Sequence, residues 1–192
     1  MKRLLSLALV LLLQACAMPH SYPEATDLKS GSDDVVVIGK IELVPGLDTT
    51  EQRSRWNVIG EKSMFRMWMA TGPEFKPIRT GEMRASEFQG SLEVDWGRPF
   101  MVKVPRRRTF LNGGMTWLDV VRQERLWFPG GYYFDVPAGA KAVYIGTLRF
   151  HRNDFNTITR VEVIDERRDV AAVLKTAGSA ADVTPSLLKR VP

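Results

Sequence analysis

Groups suited to redox or metal chemistry are scarce in this chain. Its 192 residues include one cysteine, Cys16, and two histidines, His20 and His151. A single cysteine cannot close a disulfide within the chain. No paired-cysteine or H-E-x-x-H spacing is present to build a zinc site, so neither a metal nor a cofactor is implied. Long hydrophobic runs are missing as well. The run Leu4–Leu13 is ten residues interrupted by Ser6, about half of the roughly 20 needed to span a bilayer. There is no G-x-S-x-G elbow, no S-x-x-K, and no glycine-rich phosphate loop ahead of a helix. The net charge is +5, of which Lys2 and Arg3 supply two. That remainder is too small to argue for nucleic acid.

What is present begins at the N-terminus. Met1-Lys2-Arg3 is cationic, Leu4–Leu13 is apolar, and Leu13-Gln14-Ala15-Cys16 follows. The length and order are those of a processing signal rather than a membrane span. The four residues resemble the lipobox of bacterial lipoproteins, although Gln14 stands where Ser or Ala is more usual. The resemblance covers about the first sixteen residues. It implies a diacylglycerol on the Cys16 thiol, cleavage just before Cys16, and acylation of the new amino terminus. Each buried methylene contributes about 0.8 kcal/mol, so several chains together give lasting attachment to a membrane. Ala17, rather than Asp, follows the cysteine. By analogy with enterobacterial lipoproteins this implies the outer membrane, with the inner membrane as the alternative. The plainer reading is a signal peptide cut elsewhere, with Cys16 incidental.

Four segments are expected: a signal peptide over 1–15, the acylated Cys16 and a flexible tether over 16–34, a folded domain over 35–176, and a tail or short helix over 177–192. The tether is predicted because Ala17–Asp34 is polar, contains Pro19, Pro23 and Gly31, and shows no periodicity. Order is expected from "VVVIGKIELV", where Val35, Val37, Ile41 and Leu43 share one face and Lys40 and Glu42 the other. Further strands are expected at Arg53–Ile59, Ser63–Ala70, "SLEVDW", "RPFMVKV", "YYFDV", "AVYIGTLRF" and "TRVEVID", with a helix over "EKSMFRMWMA" as the alternative for the second. "MTWLDVVRQERLWF" is open to one or two strands or a short helix. "RRRTFLNGG" reads as a connection, and the glycine pairs at Asn112–Gly114 and Pro129–Gly131 read as turns. Helix is expected at the end, with Asp169 capping "VAAVLKTA" and Thr184-Pro185 opening "SLLKR".

Short strands with turns every 8–12 residues predict a mainly β protein, an antiparallel β-sandwich with one or two short C-terminal helices. "PGGYYFDVPAG", with "AVYIGTLRF" and "VEVIDERRDVAAVLK", also looks like a recurrent pattern in uncharacterised bacterial lipoproteins. Their domains are similar to the transthyretin-like, carboxypeptidase-regulatory sandwich. The likeness covers Pro129 to Lys175 and carries no catalytic residues onto this chain.

Candidate chemistry is thin. His151 with Asp154 in "HRNDFN" is the best catalytic pair, and Asn153, Asp154 and Asn156 offer oxygens to a calcium ion. A polar turn explains both. Arg106, Arg107 and Arg108 form the strongest charge run and suit anionic lipid, lipopolysaccharide or an acidic partner. A solvated loop is the competing explanation. Trp56, Trp68, Trp96, Trp117 and Trp127 fit either packing or sugar stacking. The expectation is therefore a lipid-anchored envelope protein without catalytic residues, acting as a binding or structural module for another envelope protein. The alternatives are a glycan- or lipid-binding module, or a hydrolase of envelope material in which carboxylates such as Asp95, Asp119 and Asp135 converge.

Overall fold

The computed structural model describes residues 21–48, 51, 67–78, 90–119, 124–168, 171 and 182–192. Among these residues ten strands form: β1 (Asp34–Val44), β2 (Met67–Gly72), β3 (Gly90–Val94), β4 (Pro99–Pro105), β5 (Thr109–Asp119), β6 (Glu124–Phe134), β7 (Ala142–Arg152), β8 (Ile158–Ile164), β9 (Val183–Pro185) and β10 (Lys189–Arg190). They assemble into two five-stranded sheets. One runs β4-β1-β7-β8, with β9 also paired to β7, and the other runs β10-β6-β5-β2-β3. The protein is thus mainly β, a two-sheet sandwich. Most pairings are antiparallel, but β1 lies parallel to β7, and β9 parallel to β7.

The parallel pair explains the near-continuous apolar runs of β1 and β7. Both are central strands buried on two faces, as parallel strands usually are. Val35, Val37, Ile41 and Leu43 point into the main core with Met67, Met69, Leu126, Phe128, Phe134 and Phe150. On the other face, Val36, Ile38, Ala142 and Tyr144 pack with Ala25 and Leu28 in a second, smaller core. Further along that outer face come Lys40 and Glu42, a change from apolar to charged along one side of one strand. The antiparallel strands alternate more plainly: Phe100, Val102 and Val104 of β4 are buried between half-buried neighbours.

Three expectations are corrected. The stretch 21–34, predicted as part of a flexible tether, is a packed strap. Ser21 bridges Ser91 of β3, and Glu24 bridges Val102 of β4. The Ala25 amide donates to Met101 O and the Lys103 amide to Pro23 O, both at 2.9 Å. Ala25 and Leu28 are buried. Absence of periodicity misled here because a strap crossing from one sheet edge to another buries isolated side chains rather than a repeating face. The C-terminus behaves alike. Thr184 and Pro185, predicted to open a helix, lie in β9, and Lys189–Arg190 forms β10 against Tyr133 and Tyr132 of the other sheet. The other predicted helix, 170–177, lies almost wholly outside the described residues, as do the strand at 53–59, Trp56, His20 and Cys16.

Third, neither glycine pair forms a hairpin turn. "NGG" lies inside β5 and "PGG" inside β6. The pairs face each other across a bulge: Leu111 pairs with Tyr132 and Gly113 with Pro129, leaving Asn112 opposite Gly130 and Gly131. Gly113 (φ 107°) and Gly131 (φ 94°) supply the left-handed backbone. Gly130 is needed for space, since a Cβ there would lie 2.2 Å from the Asn112 carbonyl carbon. The excluded Asn112 is buried and holds the chain that leaves β2. Its Oδ1 accepts from the Lys76 amide (3.1 Å), its Nδ2 donates to Glu74 O (3.2 Å), and its carbonyl accepts from the Ile78 amide (2.9 Å).

Candidate functional site

Among the described residues the sandwich has two sides where the last strands of the two sheets face each other without pairing. On one side, β3 and β4 are joined by the N-terminal strap across part of their length. On the other, β6 and β8 are the edge strands. β10 covers only Tyr132 and Tyr133, and the Val191 amide donates to Gly131 O at 2.8 Å. From Glu124 to Gly130, β6 has no strand partner on its outer edge among the described residues, and β8 pairs only with β7.

Two clefts open along this seam. The larger, about 530 Å³, lies among Phe75, Gly131, Tyr132, Thr159, Arg160 and Arg190. The smaller, about 380 Å³, is lined by Ile78, Arg125, Trp127, Phe128, Asn156 and Thr157. Pro129 and Ile158 belong to both, so the clefts form one groove parallel to two strand edges. The glycine bulge, held by Asn112, shapes its floor: Phe75 approaches Gly131, and Ile78 approaches Gly113. The lining mixes apolar surface with Arg125, Arg160 and Arg190 and, among the described residues, contains no acidic side chain. An extended peptide needs these features from a host: an unpaired edge for main-chain hydrogen bonds and flanking pockets for alternate side chains.

Trp127 continues outward from the groove. Trp68 of β2 pairs with Met115 of β5, which pairs with Trp127 of β6, so the three side chains form a half-buried row across the outer sheet face. Trp117 follows two residues beyond Met115, with the Arg125 guanidinium 4.1 Å from its ring centroid. Trp96 is different. It packs edge-on against Phe128 (5.5 Å) and Phe150 (6.3 Å) and serves the core.

The densest polar cluster lies on the outer face of the other sheet. Lys40 Nζ donates to Glu42 Oε1 (2.7 Å) and Glu166 Oε2 (2.6 Å). Arg149 donates to the same two residues, to Glu42 Oε2 (2.7 Å) and Glu166 Oε1 (3.0 Å). Thr147 Oγ1 also donates to Glu166 (2.8 Å). Burial works to raise both carboxyls and to lower Lys40, but the hydrogen bonds and charges of the ring outweigh it. Glu42 and Glu166 therefore sit below the usual carboxylate range and Lys40 above its ordinary value. The ring is electrically neutral and its charges satisfy one another. Its chemistry is that of a structural clamp joining β1, β7 and the chain after β8.

The predicted candidates disperse. Arg106 turns inward, donating from Nη1 to Ala140 O (2.6 Å) and from Nη2 to Asp34 O (2.8 Å), so it ties three segments together. Arg107 is exposed. Arg108 donates to Asp135 Oδ1 (2.7 Å), and its guanidinium lies 4.8 Å from the Tyr133 ring centroid. Lys189 and Arg108 together hold Asp135 below its ordinary pKa. His151 meets Glu162 (2.6 Å), not Asp154. Asn153 Oδ1 accepts from the Phe155 and Thr157 amides, and Asn156 Oδ1 accepts from Arg152, which explains "HRNDFN" as a turn. Among the described residues no group of three or more His, Cys, Asp or Glu is placed to hold a metal ion. Asp119 and Asp135 lie at opposite ends of the β5–β6 hairpin, about 30 Å apart at roughly 3.3 Å per residue, so they do not converge.

The seam escaped sequence reading because its defining property is an unpaired edge, which belongs to strand order and not to composition. The two facing glycine pairs were the available signal. No family model matches the chain, and no curated protein or solved structure matches it.

Proposed function

We propose that this protein is a lipid-anchored envelope protein whose sandwich, without catalytic residues, binds another envelope protein by accepting an extended segment of that partner along the β6–β8 seam. The observation that carries the reading is the groove lying along two strand edges, with Glu124–Gly130 paired to β5 on one side and lacking a strand partner on its outer edge among the described residues. Strand addition there would satisfy backbone groups that otherwise face water, while the clefts would take alternate side chains. The three lining arginines favour a segment carrying acidic residues. The anchor at Cys16 and location at the outer membrane come from the lipobox-like residues.

The test places a photo-crosslinking residue at Thr159 in the seam or at Lys103 on the opposite side, in cells. The reading expects a discrete crosslinked protein from position 159 alone, with slowed amide exchange over 124–131 in the purified complex. Crosslinking that is equal at both positions, or unchanged exchange along β6, would overturn it. The row Trp68–Met115–Trp127 supports a second reading, a glycan stacked on the sheet face. That reading expects Trp127→Ala to abolish retention on cell-wall glycans while leaving exchange along β6 as it was.

A further inference from the structure

The strap fixes where the chain leaves the sandwich. β4 runs from the β3–β4 turn towards Pro105, and the strap lies antiparallel to it, with Glu24 opposite Val102 and Pro23 bonded to Lys103. Traced backwards from Glu24, the chain therefore heads for the end where Arg106–Arg108 turns from β4 into β5. Tyr22 lies close enough to Arg107 that the arginine's charge opposes the rise in pKa that burial gives the phenol. Ser21 is only five residue steps along the chain from Cys16. Fully extended they reach about 18 Å, far less than the tether expected from sequence.

Charge is distributed unevenly along the same axis. The end with the arginine turn carries the exposed cations Lys29, Arg107, Arg108, Lys141, Lys189 and Arg190. Among the described residues its acids, Asp27, Asp33, Asp34, Asp135 and Asp182, are fewer than its bases, which also include Arg106. The opposite end, marked by the turn at Asn153–Thr157, has Asp48, Glu51, Asp95, Asp119, Glu124 and Asp154 against Arg98, Arg125 and Arg152 among the described residues. β7 spans the two ends with eleven residues, about 36 Å at 3.3 Å each.

We infer that the Arg106–Arg108 end of the sandwich is a membrane-facing surface that binds anionic lipid head groups. This rests on the proposed anchor at Cys16, which holds that end within reach of the bilayer. The excess of cations then selects it over the acidic end, because an anionic leaflet attracts Lys and Arg within about a Debye length. The β6–β8 seam runs from one end to the other. Its far half, with Trp127 and Asn156, is thereby held away from the lipid and open to a partner.

Because acylation consumes the chain's only thiol, an introduced cysteine gives a unique label. The lipidated protein would carry a fluorophore at Asp33→Cys, near the arginine turn, or at Phe155→Cys, at the far end, where Phe155 is 87% exposed. It would be reconstituted in vesicles of phosphatidylcholine with phosphatidylglycerol, containing a head-group quencher. The expected result is severalfold stronger quenching at position 33 than at 155. That difference should shrink in pure phosphatidylcholine, in high salt, and on Lys29→Glu with Arg107→Glu. Lys29 has a 90% exposed side chain, so its reversal leaves the fold intact. Equal quenching at the two positions, or a difference insensitive to lipid charge, would overturn the inference. The mass of the membrane form reads the anchor separately. If it lacks acyl chains the anchor reading fails and the inference that rests on it fails with it, whereas acylated protein with equal quenching at the two positions overturns the inference alone.

Discussion

Leu28→Ala separates a strap from a tether. In a flexible tether this side chain would touch nothing, and its truncation would leave stability unchanged. Here Leu28 is buried against Ala25, Val36, Ile38, Ala142 and Tyr144, with Val183 and Leu187 of the C-terminal strap alongside. Replacing it by alanine removes three carbons, about 2.4 kcal/mol at roughly 0.8 kcal/mol each, and leaves a cavity. Buried Leu→Ala changes cost about 2–5 kcal/mol. The site lies under a single strap that can settle inwards, so we expect the lower half of that range, about 2–3 kcal/mol. At about 2–4 °C per kcal/mol for a chain of this size, the melting temperature should fall by roughly 5–10 °C. The assay is a thermal melt followed by far-ultraviolet circular dichroism, with Phe155→Ala as control. Phe155 is 87% exposed, and its truncation should stay within about 0.5 kcal/mol. If Leu28→Ala melts with the control, the strap does not pack, and the short reach from Cys16 to the domain falls with it.

Other outcomes follow from the clamp and the bulge. Lys40→Met leaves Glu42 and Glu166 facing each other with Arg149 alone. Losing one partner of a buried pair costs about 3–5 kcal/mol, and since both carboxylates are about a fifth exposed we expect roughly 2–3 kcal/mol, partly recovered by adding Glu166→Gln. The pH dependence has a definite sign. Glu42 and Glu166 are lowered in the fold, so their contribution is present above the ordinary glutamate pKa of about 4.3 and lost as pH falls through the lowered values. Lys40 is raised, so its contribution is present below about 10.4 and lost only as pH rises through the raised value. Melts should therefore show a plateau between about pH 5 and 10, with a shallower acid limb in Lys40→Met. Gly130→Ala forces a Cβ to within 2.2 Å of Asn112 backbone and should cost more than about 3 kcal/mol. Gly97→Ala meets nothing within 4 Å and should cost about 1–2 kcal/mol, from its positive φ alone.

How much of this was legible in the sequence depends on whether a feature is local or set by strand order. Alternation is local, and it identified Phe100–Val104, Leu92–Val94 and Tyr132–Phe134 as half-buried strands. The apolar run at Val35–Ile38 was legible as a strand, but its second buried face was not, because only the parallel pairing with β7 and the cover from both straps create it. Glycine pairs were misread for a definite reason. The same freedom of φ that makes a turn also makes a bulge, and only the register of β5 against β6 tells which. The straps follow the same logic from the opposite direction. Residues 21–28 and 183–190 have no period because each hands its backbone from one sheet to the other, Ser21 to β3 and Glu24 to β4, Val183 to β7 and Lys189 to β6. Such a segment buries only isolated side chains, Ala25 and Leu28 in one strap and Leu188 in the other, and apolar residues so spaced make no pattern. The seam differs from the strapped side in what its edges retain. The N-terminal strap covers the facing edges of β3 and β4, whereas along Glu124–Gly130 no described segment pairs with the edge of β6 that faces away from β5. Among the described residues the sandwich closes one side with its own chain and leaves a glycine-shaped groove with an open strand edge on the other, which is the feature on which the proposed strand addition rests.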